Sequence, residues 1–239
     1  MGRVHWVGGE KGGVGKSVVA RLLAQYCIDR AIPWSGFDTD RSHSALVRTY
    51  GGWVRAIDID RMEDLDVIVD ELEAGTEEVV VDLAAQTQAA LGRWLEAGDV
   101  DALLERLGHE PWFWYVIDDG KASVQLLEAL LGRLGNAGRV VCVLNHGRGG
   151  EFVLFEESKL RNRIEQRGGA VIDLPALHAG SMLKIDTYEK SFWGAIHNAD
   201  PNAGPCLTPM ERQRAKVFVR RAHAAFRALL DPQSEPGQL

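Results

Sequence analysis

"GGEKGGVGKSVVARLLAQYC", residues 8–27, decides how the rest of the chain is read. An apolar, strand-like run, RVHWV (3–7), leads into it, and a helix-like run follows from Ser17 to Arg30. Between them lie glycines at 8, 9, 12, 13 and 15. Such a loop can curl so that successive N–H groups point inward at an anion, and the helix start adds its positive end. Lys16 is placed to reach the β- and γ-phosphates of a nucleotide, and the Ser17 hydroxyl to ligate Mg²⁺. Gly12, Gly13, Val14, Gly15, Lys16, Ser17 and Val18 are therefore the candidate nucleotide contacts. Two features depart from the plain phosphate-loop pattern: Glu10 stands where a glycine is expected, and Lys11 adds a second lysine.

Composition sets the frame around this loop. The chain has 239 residues, 46% hydrophobic and 26% charged, which suits one α/β domain over 1–230 with a frayed tail at 231–239. A formal net charge of -7 argues against a uniformly basic nucleic-acid binder but leaves room for a local basic patch. Cys27, Cys142 and Cys206 are too far apart for a metal motif, and two sit in apolar runs, as buried thiols in a reducing cytoplasm would. No apolar run approaches the length of a membrane span, and the first residues lack a secretory pattern.

Along the chain, short apolar runs alternate with amphipathic segments. Strands are expected at 3–9, 32–38, 54–59, 77–85, 111–120, 139–147 and 170–177. Helices are expected at 41–50, 64–74, 86–107 with a break at Gly98, 123–134, 155–167 and 208–230, the last opened by Thr208-Pro209. This alternation predicts an α/β fold, a doubly wound, mostly parallel sheet with helices on both faces. The aromatics of PWFWYVIDDG (111–120) fall on both faces of their strand, which suits a central strand better than a base-stacking platform. Ligands in such sheets bind at the carboxyl ends of the strands, so the residues that follow each strand are the candidates. After VVV comes Asp82, placed like a carboxylate that holds Mg²⁺ through a water; capping of the next helix is the alternative.

The stretch KGGVGKS (11–17) resembles the deviant Walker A loop of the ParA/MinD superfamily of P-loop ATPases, a branch of the SIMIBI class. The resemblance implies ATP and Mg²⁺ as ligands and gives Lys11 a role: it would reach across a dimer interface to the partner's nucleotide, as an arginine finger does. It likewise implies that Asp40, in FDTDRSHSAL, positions the attacking water in a first switch, although Asp40 can equally cap the next helix. Lys11, Lys16 and Asp40 are then the catalytic candidates, and Ser17 with Asp82 the metal candidates. Asn145, after VVCVL, would read adenine with its amide, and Pro175, in DLPAL, would close the base pocket.

A narrower resemblance, to TraL- and MobD-type proteins of plasmid transfer and mobilisation, rests on KGGVGKS, GHEPWFWYVIDDG, LNHGRG, IDLPAL, SFWGAI and LTPMERQRAKVFVRR. It implies a slowly hydrolysing switch ATPase in conjugation, mobilisation or maintenance, an ATP-bound homodimer and a protein partner in the transfer or partition machinery. Iron–sulfur carriers of the superfamily are excluded, because the paired cysteines are missing. The apolar side of 211–230 is read as packing on the sheet rather than as a membrane anchor. The arginines and lysine of the same helix leave a DNA contact of the ParA partition type open. A nucleotide-gated binding module and a metabolic P-loop kinase or synthetase are further alternatives.

Overall fold

Seven parallel strands form one sheet in the order β3-β2-β4-β1-β5-β6-β7 in the computed structural model, which describes residues 2–134 and 138–231. In chain order the elements are β1 (Arg3–Gly8), α1 (Lys16–Asp29), β2 (Trp34–Asp38), α2 (Ala45–Tyr50), β3 (Val54–Ala56), α3 (Met62–Glu73) and β4 (Glu78–Asp82). There follow α4 (Gln88–Ala97), α5 (Val100–Arg106), β5 (Glu110–Ile117), α6 (Lys121–Arg133), β6 (Arg139–Asn145), α7 (Val153–Glu157) and α8 (Leu160–Glu165). The chain continues through β7 (Ala170–Leu174), α9 (Ala179–Thr187), α10 (Phe192–His197), a 3₁₀ turn at Pro201–Ala203 and α11 (Pro209–Leu230). The expected doubly wound α/β architecture is present, and the sheet is parallel throughout. Residues 232–239, most of the expected tail, lie outside the described residues.

Helices cover both faces. Side chains of α1, α2, α9, α10 and α11 share one apolar core with Trp112 and Trp114 of β5. Those of α3 to α8 share the other with Phe113, Tyr115 and Ile117 of the same strand. Each fully buried large apolar side chain stabilises the fold by roughly 1.5–3 kcal/mol. The β5 aromatics are all buried, so they are core and not a stacking platform. α11 docks through Phe218, Ala222 and Phe226, with Phe226 edge-on to Trp114 at 5.2 Å. Its apolar side is thus covered by packing. Thr208 and Glu211 complete a capping box at its start, which fixes where the helix begins.

Two expectations need correction, and one stretch with no expected element is helical. The segment 41–50 is helical only from Ala45, because the Asp40 carboxylate accepts from the Ser42 and His43 N–H groups and holds 41–44 in a turn. The single helix expected at 155–167 is two short ones, broken at Lys159, whose φ is +60°. Residues 179–203, which carry little periodicity, contain α9 and α10. Among the described residues no helix is long and apolar enough to cross a membrane.

Candidate nucleotide site

The glycine loop crosses the carboxyl edge of β1, and its curl is steric. Gly15 caps α1 with φ at +102°, a left-handed conformation that side chains disfavour, and a Cβ there would stand 2.2 Å from Asn145 Nδ2. No side chain caps α1, so its amino end opens toward the cleft as an anion site. Lys16, largely buried, donates from Nζ to the Lys11 carbonyl at 3.1 Å. Burial lowers its pKa, against the pull of Asp82, Asp40 and Glu10.

Strand register brings the acids together. Asp38 and Asp82 are direct neighbours across the β2–β4 pair, both buried. Asp38 is consumed structurally: one oxygen accepts from the Asp40 N–H at 2.9 Å, the other from Leu46 and Val47 N–H groups at the start of α2. Asp82 differs. Its Oδ2 is buried without a hydrogen-bond partner among the described residues. Burial, then the neighbouring Asp38 charge, push its carboxyl up to about 7, while the Ser17 hydroxyl and Lys16 pull the other way. A buried carboxylate oxygen lacking a partner needs a cation or a proton.

No group of three or more His, Cys, Asp or Glu among the described residues could hold a metal by itself. That is compatible with Mg²⁺, which keeps several waters and takes few protein ligands. The vacant oxygen of Asp82 beside the Ser17 hydroxyl fits such an ion.

Two adjoining clefts open from this edge. One, of about 540 Å³, is lined by Gly12, Gly13, Gly15, Lys16, Ser17 and Asp40 among others. The other, of about 230 Å³, is lined by Asn145, Pro175, Leu177, Met182 and Phe218. Val18, Arg148 and Asp186 border both, so the two form one elongated depression. Asp40 is ionised there: burial raises its pKa, but the hydrogen bonds from His43 and Ser42 outweigh that and lower it. Val14 turns its side chain into the core and can offer a ligand only backbone. Asn145 is engaged at both ends: Nδ2 donates to the Val14 carbonyl at 2.7 Å, and Oδ1 accepts from Gly147 N–H at 3.0 Å. Its amide therefore braces the phosphate loop. Lys11 does not line either cleft; it pairs with Asp118 at the end of β5.

Several participants escaped the sequence reading. Thr39 ties the ends of β2 and β4: its N–H and hydroxyl donate to the Asp82 carbonyl at 3.0 and 3.1 Å, and the hydroxyl accepts from Ala84 N–H at 2.9 Å. The T between the two aspartates of "DTD" was a visible signal. Arg21, almost fully buried, pairs with Asp186 of α9 at 2.6 Å and lies over the Phe192 ring. That contact links α1 to segments without a readable pattern, and no local signal predicts it.

Comparison with known proteins gives a consistent likeness. The chain is 29% identical over 241 residues to the protein TraL of Escherichia coli, covering 92% of this chain and 95% of that one. It is 27% identical over 193 residues to the protein MobD of Acidithiobacillus ferrooxidans, covering 78% and 82%. No protein-family model matches. Among solved structures, the MinD cell division protein of Aquifex aeolicus superposes over all of both chains with a TM-score of 0.58 at 11% identity. MinD in its complex with MinC gives 0.53 at 9%, over 100% of this chain and 99% of that one. The chain thus resembles TraL and MobD proteins in sequence over most of its length, and it has the fold of the MinD cell division protein.

Proposed function

We propose that residues 2–230 form a single ATP-binding domain that acts as a switch ATPase in plasmid conjugation or mobilisation, in the cytoplasm. The observation that carries this reading is Asp82: a buried, partnerless carboxylate oxygen beside Ser17 and Lys16, where the uncapped end of α1 meets the cleft. The depression beside it has a charged end and an apolar end, as a nucleoside triphosphate requires.

On this reading the loop N–H groups and Lys16 bind the β- and γ-phosphates. Ser17 and Asp82 would hold Mg²⁺, which would supply positive charge against the phosphates. Asp40, ionised at the cleft, orients the attacking water. Pro175, Leu177 and Phe218 enclose the base. Thr39 carries a displacement at Asp40 to the segment after Asp82. Lys11 completes the site of a second subunit, so ATP favours a two-fold dimer and slow hydrolysis releases it. The TraL and MobD likeness supports the transfer or mobilisation role, with a protein of that machinery as partner.

Calorimetry of ATP·Mg²⁺ binding tests the core of this reading. Lys16→Ala is expected to weaken binding by at least a hundredfold, a loss of about 3 kcal/mol for a buried charge-assisted contact. Unchanged affinity in that variant overturns the site. A steady-state phosphate-release assay with and without candidate partner proteins then tests turnover.

A further inference from the structure

Three residues, Val18, Arg148 and Asp186, border both the phosphate-loop cleft and the cleft beside Asn145 and Pro175. A nucleotide with its phosphates in the first and its base in the second lays its sugar across this junction. Val18 offers an apolar side chain, and Arg148 has only donors, which suit a phosphate. Asp186 of α9 is the one side-chain acceptor of the three. Its Oδ1 accepts from Arg21 Nη1 at 2.6 Å, while Oδ2 has no hydrogen-bond partner among the described residues. The side chain is 45% exposed and lines both clefts, so it stands open to an occupant. The other acids there are committed elsewhere: Asp40 holds the turn 41–44, and Glu189 pairs with Arg48 at 3.1 Å and borders the phosphate cleft alone. Arg21, only 4% exposed, is pinned on three sides, by Asp186, by the Lys190 carbonyl at 3.2 Å and by the Phe192 ring at 5.0 Å. It therefore fixes where the Asp186 carboxylate stands.

We infer that Asp186, held by Arg21, accepts a hydrogen bond from a ribose hydroxyl of the bound nucleotide, and that this contact makes the site select ribonucleotides over deoxyribonucleotides. The inference rests on the proposed ATP site and adds a specificity-determining residue to it. A hydroxyl donating to a carboxylate forms a charge-assisted bond, stronger than one between neutral groups. The charge of Arg21 offsets that of Asp186, so the carboxylate can face the sugar without repelling the triphosphate beside it. A buried guanidinium needs a counter-charge in any case, and neutralising Arg21 could be the whole task of Asp186. That task occupies one carboxylate oxygen and is indifferent to the sugar. Discrimination between sugars is therefore the property that separates the two roles.

Calorimetry on the full chain compares ATP·Mg²⁺ with its 2′-deoxy and 3′-deoxy analogues. Wild type is expected to bind at least one analogue about tenfold more weakly than ATP, the scale of one hydrogen bond to a charged group. Asp186→Ala is expected to bind all three nucleotides alike, near the wild-type affinity for the weaker analogue. The ratio is taken within each protein, so a variant that merely loosens α9 weakens all three together and leaves the ratio unchanged. An unchanged ratio in Asp186→Ala overturns the proposal, and so does equal binding of the three nucleotides by wild type. Should Asp186→Ala fail to fold, Asp186→Asn decides, since its amide oxygen can still accept from Arg21. A ratio reduced to about threefold or less in that variant supports the contact, and the wild-type ratio overturns it. The two readings fail differently. Equal binding of ATP and both analogues removes the ribose contact and leaves the ATP site standing, whereas no binding of any of them overturns the site and the contact with it.

Discussion

Lys11 and Asp118 of the same chain form an ion pair, Nζ to Oδ2 at 2.5 Å. Asp118 is fixed for this: its other oxygen accepts from the Ser123 hydroxyl at 2.6 Å and the Gly120 N–H at 3.1 Å. Burial raises its carboxyl, but Lys11, Ser123 and Gly120 outweigh that and hold it low. The lysine is partly exposed, so the pair contributes about 1 kcal/mol at most. A contact that weak can hold Lys11 aside without trapping it.

Substituting each partner separates holding from function. Asp118→Asn is expected to leave ATP affinity within a few-fold of wild type and to shift ATP-dependent dimerisation to lower protein concentration, by up to about thirtyfold, since about 1 kcal/mol applies in each of the two subunits. Lys11→Ala is expected to bind ATP yet lose both the dimer and hydrolysis. Light scattering with ATP, ADP and no nucleotide checks both. A wild type that stays monomeric in saturating ATP removes the dimer from the proposal.

Asp82 should make stability depend on pH with an unusual sign. Its folded pKa, about 7, lies above the ordinary 3.8. Between those values the folded chain binds the extra proton, so this group's contribution is lost as pH rises toward 7. His109 and His223, whose pKa values burial lowers, act in the opposite sense below pH 6.5. The readout is therefore the difference between wild type and Asp82→Asn. The variant's Tm is expected to gain on wild type from pH 5 to 7.5 without ligand. With ATP·Mg²⁺, wild-type binding should release protons, seen as a buffer-dependent enthalpy. Parallel Tm curves would show that Asp82 titrates normally.

Asp40 has two jobs to separate. Its carboxylate holds the turn 41–44, so truncation to alanine would disturb structure as well as chemistry. Asp40→Asn retains an oxygen for the Ser42 and His43 N–H groups and removes the charge. It is expected to bind ATP·Mg²⁺ normally and lose at least a hundredfold in turnover, the scale of a lost general base. Single-turnover phosphate release measures this, and wild-type turnover would leave Asp40 as a capping residue.

The contrast between these residues shows what a sequence carries. The loop was legible because its glycines serve local backbone geometry: the left-handed φ of Gly15 needs no knowledge of distant parts. The parallel sheet followed from short apolar runs, and the Thr208–Glu211 box from a local capping pattern. Asp118 was not legible as the partner of Lys11, since 107 residues separate them and only the β1–β5 pairing brings them together. The same holds for Arg21 with Asp186, and for Asn145, whose bracing of Val14 depends on the crossing of β6 past the loop. Residues 179–203 gave no periodicity because their buried positions, such as Ile185 and Phe192, serve contacts with α1 and α11 rather than one face of a long helix.

The basic side of α11 supports a final test. Arg212 and Arg227 are only part-exposed, and Arg212 donates to the Leu207 carbonyl. Arg214, Lys216, Arg220 and Arg221 are exposed, while the opposite side of the helix is docked. Arg214 and Arg221 lie two turns apart on one stripe. If these four cations each neutralise one DNA phosphate, affinity should fall roughly a hundredfold between 50 and 200 mM salt. The double variant Arg214→Ala/Arg221→Ala should lower the salt slope by about two. Fluorescence anisotropy with a labelled duplex, in ATP, ADP and no nucleotide, gives both numbers. Binding that requires ATP would join this patch to the dimer, because two copies of the stripe then face one duplex. No binding at 50 mM salt in any nucleotide state would remove DNA from the partners and leave the stripe as a solvated helix face.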